Sequence, residues 1–249
     1  EEYIAFDSTN VGKLTGYLNL IGAPAAYTAA NVIDFIRGTQ VTGLRDRTLT
    51  VKDSSGTPVS AVWKLGDSVY STPVVVGAPQ QRYDILHGDS GYASFYSLYK
   101  NRRQVAYLGA NDGMMHAFNV GFYHAGDDTV GTPAKIEHGW FSNTATPDGR
   151  GVNIGDELWG FIPQELLPQL RWLADPAYSH VYYVDLKPKV TDVRIFPVDA
   201  DHPGGWGTIL IGGFRMGGSC GICTTQGQKM SFSADFTGDS VADAARDFL

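Results

Sequence analysis

One pattern constrains this chain more than any other: short apolar strands separated by glycine turns, in an order that repeats. Ser71-Thr72-Pro73-Val74-Val75 is echoed by Leu186-Lys187-Pro188-Lys189-Val190. Each is followed by a second strand ending in glycine, Val105-Ala106-Tyr107-Leu108-Gly109 and Thr208-Ile209-Leu210-Ile211-Gly212-Gly213. The first unit runs on through Asn111-Asp112-Gly113, a primed hairpin-turn signature, into Met114–Asn119 and then Gly155–Phe161. Self-similarity on this scale marks a repeat architecture, and four short strands in meander order make one propeller blade. The 30 glycines and 30 aromatic residues among 249 fit that pattern, because strands favour aromatic side chains and tight turns need positive φ.

The strand candidates are Arg47–Lys52, Ser60–Lys64, Thr72–Gly77, Gln104–Gly109, Met114–Val120, Glu157–Ile162, Val181–Asp185, Lys189–Phe196 and Thr208–Gly213. The expected class is all-β: a partial, modified β-propeller with long inserted loops, at Ala78–Arg103 and Gly121–Gly155, and one or two short helices. One helix is expected at Ala29–Gly38, with Asn31 as cap and Gly38 as stop, and another at Leu166–Ala174. Residues 1–45 read as a lead-in segment carrying the first helix. Residues 46–249 read as an incomplete ring of two to three blades, with further blades expected beyond Leu249 and any signal peptide expected outside this stretch. The alternative is a self-contained β-sandwich with irregular loops.

Composition excludes several function classes. A formal net charge of −7 without a basic patch argues against a nucleic-acid partner. No run of 18 or more apolar residues is present, so nothing reads as a membrane-spanning helix. No HExxH or G-x-S-x-G sequence occurs, and the Gly212–Gly218 stretch lacks the lysine of a phosphate loop. Those glycines read instead as places where backbone passes close to neighbouring blades. His116, on a strand beside the Asn-Asp-Gly turn, reads as a packed or hydrogen-bonded structural residue. His180 with Asp175 and Asp185 reads as a polar corner.

Two constellations carry candidate chemistry. Cys220 and Cys223, in a Gly-rich stretch, suit a local disulfide in an oxidising compartment, with a redox-active pair as the alternative. Asp235, Thr237, Asp239 and Asp243, with the carbonyl of Val241, place oxygen atoms at positions 1, 3, 5, 7 and 9 of a loop, a spacing that lets a short segment wrap a hard cation such as calcium. Thr237, Ser240 and Arg246 depart from an EF-hand pattern, and a solvated acidic loop is the other reading.

The block Tyr107–Asn119 is similar to the blade consensus of quinoprotein-like propellers. Together with Lys64–Pro73, Glu157–Pro168, Leu173–Asp185 and Trp206–Gly213, in this order, it resembles the PilY/PilC family of type IV pilus tip adhesins. The resemblance implies a non-enzymatic surface protein at the pilus tip or outer cell surface, reached through the periplasm. It implies support for adhesion and for pilus assembly and retraction, and a calcium-binding loop that regulates pilus dynamics. Implied partners are minor pilins of the tip and a host or environmental surface receptor. The competing functions are a quinone-cofactor dehydrogenase and a scaffold propeller of an outer-membrane assembly machine. The first needs a complete ring and a vicinal disulfide, whereas Cys220 and Cys223 are separated by two residues. The second lacks the Asp175-Pro176-Ala177-Tyr178-Ser179-His180 corner.

Overall fold

The structure is a computed structural model, and it describes residues 3–125, 139–143 and 152–217. Among the described residues are nine strands and a few short helices. The strands are β1 (Thr48–Lys52), β2 (Pro58–Val62), β3 (Val74–Val76), β4 (Gln104–Gly109), β5 (Met115–His124), β6 (Trp140–Ser142), β7 (Glu157–Phe161), β8 (Lys189–Arg194) and β9 (Trp206–Ile211). The α-helices are α1 (Val11–Leu14), α2 (Ala29–Ile36), α3 (Tyr83–His87), α4 (Ser90–Tyr99) and α5 (Leu170–Leu173).

The repeat seen in the sequence becomes a pairing order. β3, β4, β5 and β7 form a four-stranded antiparallel meander, with β6 pairing the far end of β5. The second unit contributes the β8–β9 hairpin, in register from Lys189 opposite Ile211 to Arg194 opposite Trp206. This hairpin lies beside β3, joined by Gln81 Nε2 donating to Thr191 Oγ1 at 3.4 Å and by Arg102, which donates to the Gly77 carbonyl at 2.6 Å and to Thr208 Oγ1 at 2.9 Å. β1 and β2 make a separate hairpin.

Five local readings change. Gly121–Gly155 is not all loop: β5 continues to His124 and its end pairs with β6, Phe122 opposite Ser142 and His124 opposite Trp140. Ala78–Arg103 is not a loop: it folds into α3 and α4, and Asp89 caps α4 by accepting from the Tyr92 N–H at 2.9 Å. Tyr92 and Phe95, three residues apart, then bury against Trp206 of β9, which is what makes the short helix stable. The Leu166–Ala174 helix is split into a 3₁₀ turn at Gln164–Gln169 followed by α5, because Pro168 has no N–H to continue an α-helical ladder. The cap of α2 is Thr28, whose hydroxyl accepts from the Asn31 N–H at 3.1 Å, and Gly38 ends the helix region at φ +99° as expected. Val181–Asp185 is buried without being a strand. Its Tyr183 N–H goes to the side chain of Asn111 at 2.9 Å and its Val184 N–H to the Ala110 carbonyl at 3.3 Å, so the turn takes bonds that a neighbouring strand would otherwise take.

The main core lies on one side of the meander. Val32, Ile33 and Phe35 of α2, Leu166, Leu170 and Leu173 around α5, and Val181, Tyr183 and Val184 bury against one another and against Met115 of β5. Residues before position 45 therefore share their core with residues beyond position 160. Among the described residues, no helix is long and apolar enough to cross a membrane.

Candidate functional site

The connection between β4 and β5 is the polar centre of the molecule. Ala110 N–H donates to the Met114 carbonyl at 3.0 Å, enclosing Asn111, Asp112 and Gly113. Of these three only Gly113 has positive φ, at +92°. The turn is therefore a three-residue connection with one left-handed glycine and not the two-residue primed turn that Asp-Gly suggests. Asn111 and Asp112 keep ordinary backbone angles and turn their side chains inward, where both are buried.

Asp112 accepts from the Gly66 N–H at 2.7 Å and from the Met114 N–H at 3.1 Å. His116 Nε2 lies 3.1 Å from both of its oxygens, and His116 Nδ1 lies 2.6 Å from Glu157 Oε1 on β7. Burial alone would depress the His116 pKa. The hydrogen bonds and negative charges of Asp112 and Glu157 outweigh it and lift the value to about 9. His116 is thus an imidazolium clamped between two carboxylates at neutral pH, with both nitrogens engaged. It ties the turn to β7 and holds no lone pair for use as a base.

Asn111 forms the second half of this hub. Its Nδ2 donates to Asp67 Oδ2 at 3.0 Å, while its Oδ1 accepts from the buried Tyr183 N–H. The Asn111 N–H donates to the Asp67 carbonyl at 2.9 Å. Asp67 also meets His180 Nε2 at 2.9 Å. The segment at Gly66 runs so close to the turn that a Cβ there would collide with the Asp112 backbone. Three other stretches of chain, around residues 66, 157 and 183, therefore converge on this turn.

The expected corner of Asp175, His180 and Asp185 does not assemble. His180 goes to Asp67, Asp175 caps the Ala177 N–H at 2.8 Å, and the buried Asp185 accepts from the Tyr70 N–H at 3.1 Å. Sequence proximity misassigned these partners because the segment between them turns its side chains to different neighbours. Asp67 and Glu157, the true partners of the two histidines, were unmarked, since nothing local distinguishes an acid that pairs across 113 or 41 residues. In the Gly212–Gly217 stretch, Cβ atoms at Gly212, Gly213 and Gly217 would strike Met115, Leu186 and the Tyr183 carbonyl, so the close backbone passage is real. Cys220, Cys223 and the loop of Asp235, Thr237, Asp239, Val241 and Asp243 lie outside the described residues.

The meander also presents apolar surface. Tyr107 and Trp159, on the strands either side of Ala117, bring their rings to 5.7 Å over that small residue. Trp159, Phe161 and Val75 remain exposed; among the described strands β7 has no partner on its outer side, while β3 is flanked by the β8–β9 hairpin without ladder pairing. Exposed apolar side chains beside open strand edges mark a sheet built to meet other surfaces.

Comparison with known proteins agrees with this architecture. The chain is 32% identical over 157 residues to the type IV pilus biogenesis factor PilY1 homolog of Xylella fastidiosa, covering 62% of this chain and 10% of that protein. It is 30% identical over 196 residues to the type IV pilus biogenesis factor PilY1 of Pseudomonas aeruginosa strain UCBPP-PA14, covering 76% of this chain and 12% of that protein. The chain thus spans about a tenth of the length of these relatives. No solved structure matches it. A family model described as the PilY1 beta-propeller domain matches residues 65–227, which include the whole β3–β4–β5–β7 meander and the β8–β9 hairpin. With well over half of its length matched in this way, the chain belongs to the family of PilY1 beta-propeller domains.

Proposed function

We propose that this chain supplies blades of a modified β-propeller in a type IV pilus biogenesis factor, acting at the pilus tip or outer cell surface as a non-enzymatic surface for adhesion and for pilus assembly and retraction. The observation that carries the reading is the β3–β4–β5–β7 meander followed by the β8–β9 hairpin, inside the span matched by the family. One unit is complete, a second begins beside it, and exposed apolar side chains at the open edges suit packing against further blades. On this reading residues 1–45 are a lead-in whose helix docks on the first blade. Minor pilins and a surface receptor are the partners, and a calcium ion held by Asp235, Thr237, Asp239, Val241 and Asp243 modulates them. Cys220 and Cys223 form a disulfide in that oxidising setting.

The test is genetic and biochemical. Removing residues 65–217 from the chromosomal gene is expected to abolish surface pili and attachment while the rest of the product is still exported. Unchanged piliation, twitching and attachment would overturn the role. For the loop, calcorimetric titration of the chain with calcium is expected to show binding that Asp239→Ala removes; equal affinity in that variant eliminates the site.

A further inference from the structure

β9 is the counterpart of β4. In the first unit Val74 of β3 stands opposite Tyr107 of β4, two residues before Gly109. In the second, Val190 of β8 stands opposite Leu210 of β9, two residues before Gly212. The two hairpins therefore share one register as well as one sequence pattern. β4 has β5 on its other side, from Val105 opposite Asn119 to Gly109 opposite Met115. β9 has β8 on one side, and among the described strands its other edge is free.

That edge is poorly suited to water. Thr208-Ile209-Leu210-Ile211 reads as a strand covered on both faces, yet Ile209 and Leu210 are half-buried and Ile211 is 45% exposed. An unpaired edge flanked by apolar side chains either gains a strand or invites association between chains. The chain itself carries a candidate further on, in residues 218–249, which lie outside the described residues. There Lys229, Ser231, Ser233 and Asp235 alternate strictly with Met230, Phe232, Ala234 and Phe236. Polar and apolar residues alternating with period two are the pattern of a half-buried strand. The stretch falls beyond the span 65–227 matched by the family, and residues 214–228 give it a connection long enough to return antiparallel beside β9.

We propose that residues 229–236 pair antiparallel with the free edge of β9 as the third strand of the second blade, the place that β5 holds in the first. The segment is tethered to the strand it joins, so it meets that edge at an effective concentration that neither a second copy nor a separate partner matches. The inference rests on the blade reading of the fold and needs no role at the pilus; its failure would leave the β3–β4–β5–β7 meander and the piliation test untouched.

The experiment is nuclear magnetic resonance of the isotope-labelled full chain. Cross-strand amide contacts are expected between Trp206–Ile211 and residues 229–236, in antiparallel order, and the β9 amides that point away from β8 are expected to resist hydrogen exchange. Phe232→Ser is expected to speed their exchange at least about tenfold while the amides of β4 keep their protection. Ser231→Ala, on the opposite face of the strand, is expected to change neither. Fast exchange of those β9 amides in the parent chain, contacts from β9 to a different stretch, or no effect of Phe232→Ser overturns the proposal. Protection that rises with chain concentration overturns it as well, because it places a second copy on the edge.

Discussion

His116 Nε2 sits 3.1 Å from each oxygen of Asp112, four residues earlier in the chain, so that the strand following the turn locks onto the turn itself. Because Glu157 holds the other ring nitrogen, the same imidazolium also ties β5 to β7.

The charge on His116 makes stability depend on pH. Its folded pKa, about 9, is raised above the ordinary 6.5, so its contribution is fully present below pH 6.5 and is lost as pH rises through 9. The loss is on the order of 3 kcal/mol. Urea unfolding at a series of pH values is expected to show this decline, and His116→Gln is expected to lower stability at pH 6 and flatten the profile between 6.5 and 9.

Gly113 is expected to tolerate no side chain. At φ +92° an L-residue is strained, and a Cβ there would lie 2.6 Å from Leu170 Cδ2 in the core. Gly113→Ala is expected to cost at least about 1 kcal/mol, read as a lowered denaturation midpoint.

Asn111→Ala leaves the buried Tyr183 N–H without an acceptor and is expected to cost about 1–3 kcal/mol. Asn111→Asp restores that acceptor but sets a carboxylate beside Asp67, so it is expected to fall between alanine and the parent, improving as pH drops through the carboxylate range. Equal stability of all three chains would show that the hub does not couple the Val181–Asp185 segment to the turn.

Tyr92 anchors the helical insertion to β8. Its hydroxyl donates to Asp192 Oδ2 at 2.7 Å and accepts from the Gln81 N–H at 2.9 Å; burial and then Asp192 push its pKa to about 12. Tyr92→Phe is expected to cost about 1–2 kcal/mol and to speed proteolysis between residues 78 and 103 under native conditions, as followed by mass spectrometry.

Much of the fold was legible in the chain. β4 runs from Gln104 to Gly109 as its apolar run and terminal glycine indicate, and the order of the four-stranded meander follows from the repeated Pro-strand and Gly-strand units. These features are local: strand propensity and turn chemistry act over a few residues, and their repetition carries the blade order. Helix α4 was not legible in the chain, where Ala78–Arg103 looks like a loop, because a ten-residue helix with two buried aromatic rings is marginal alone and becomes stable only where Trp206 covers it.

Neighbours along the chain were enough to mark most of the strands, the order of the meander and the glycine that closes the β4–β5 turn, though not β6 and not the irregular Val181–Asp185 segment. Tertiary packing alone settled that Asp67 pairs with His180, that Glu157 and Asp112 share one imidazolium, and that Val181–Asp185 hangs from Asn111 instead of joining a ladder. Those are matters of which polar groups meet once water is excluded, and partners brought together across dozens of residues leave no local trace of their meeting.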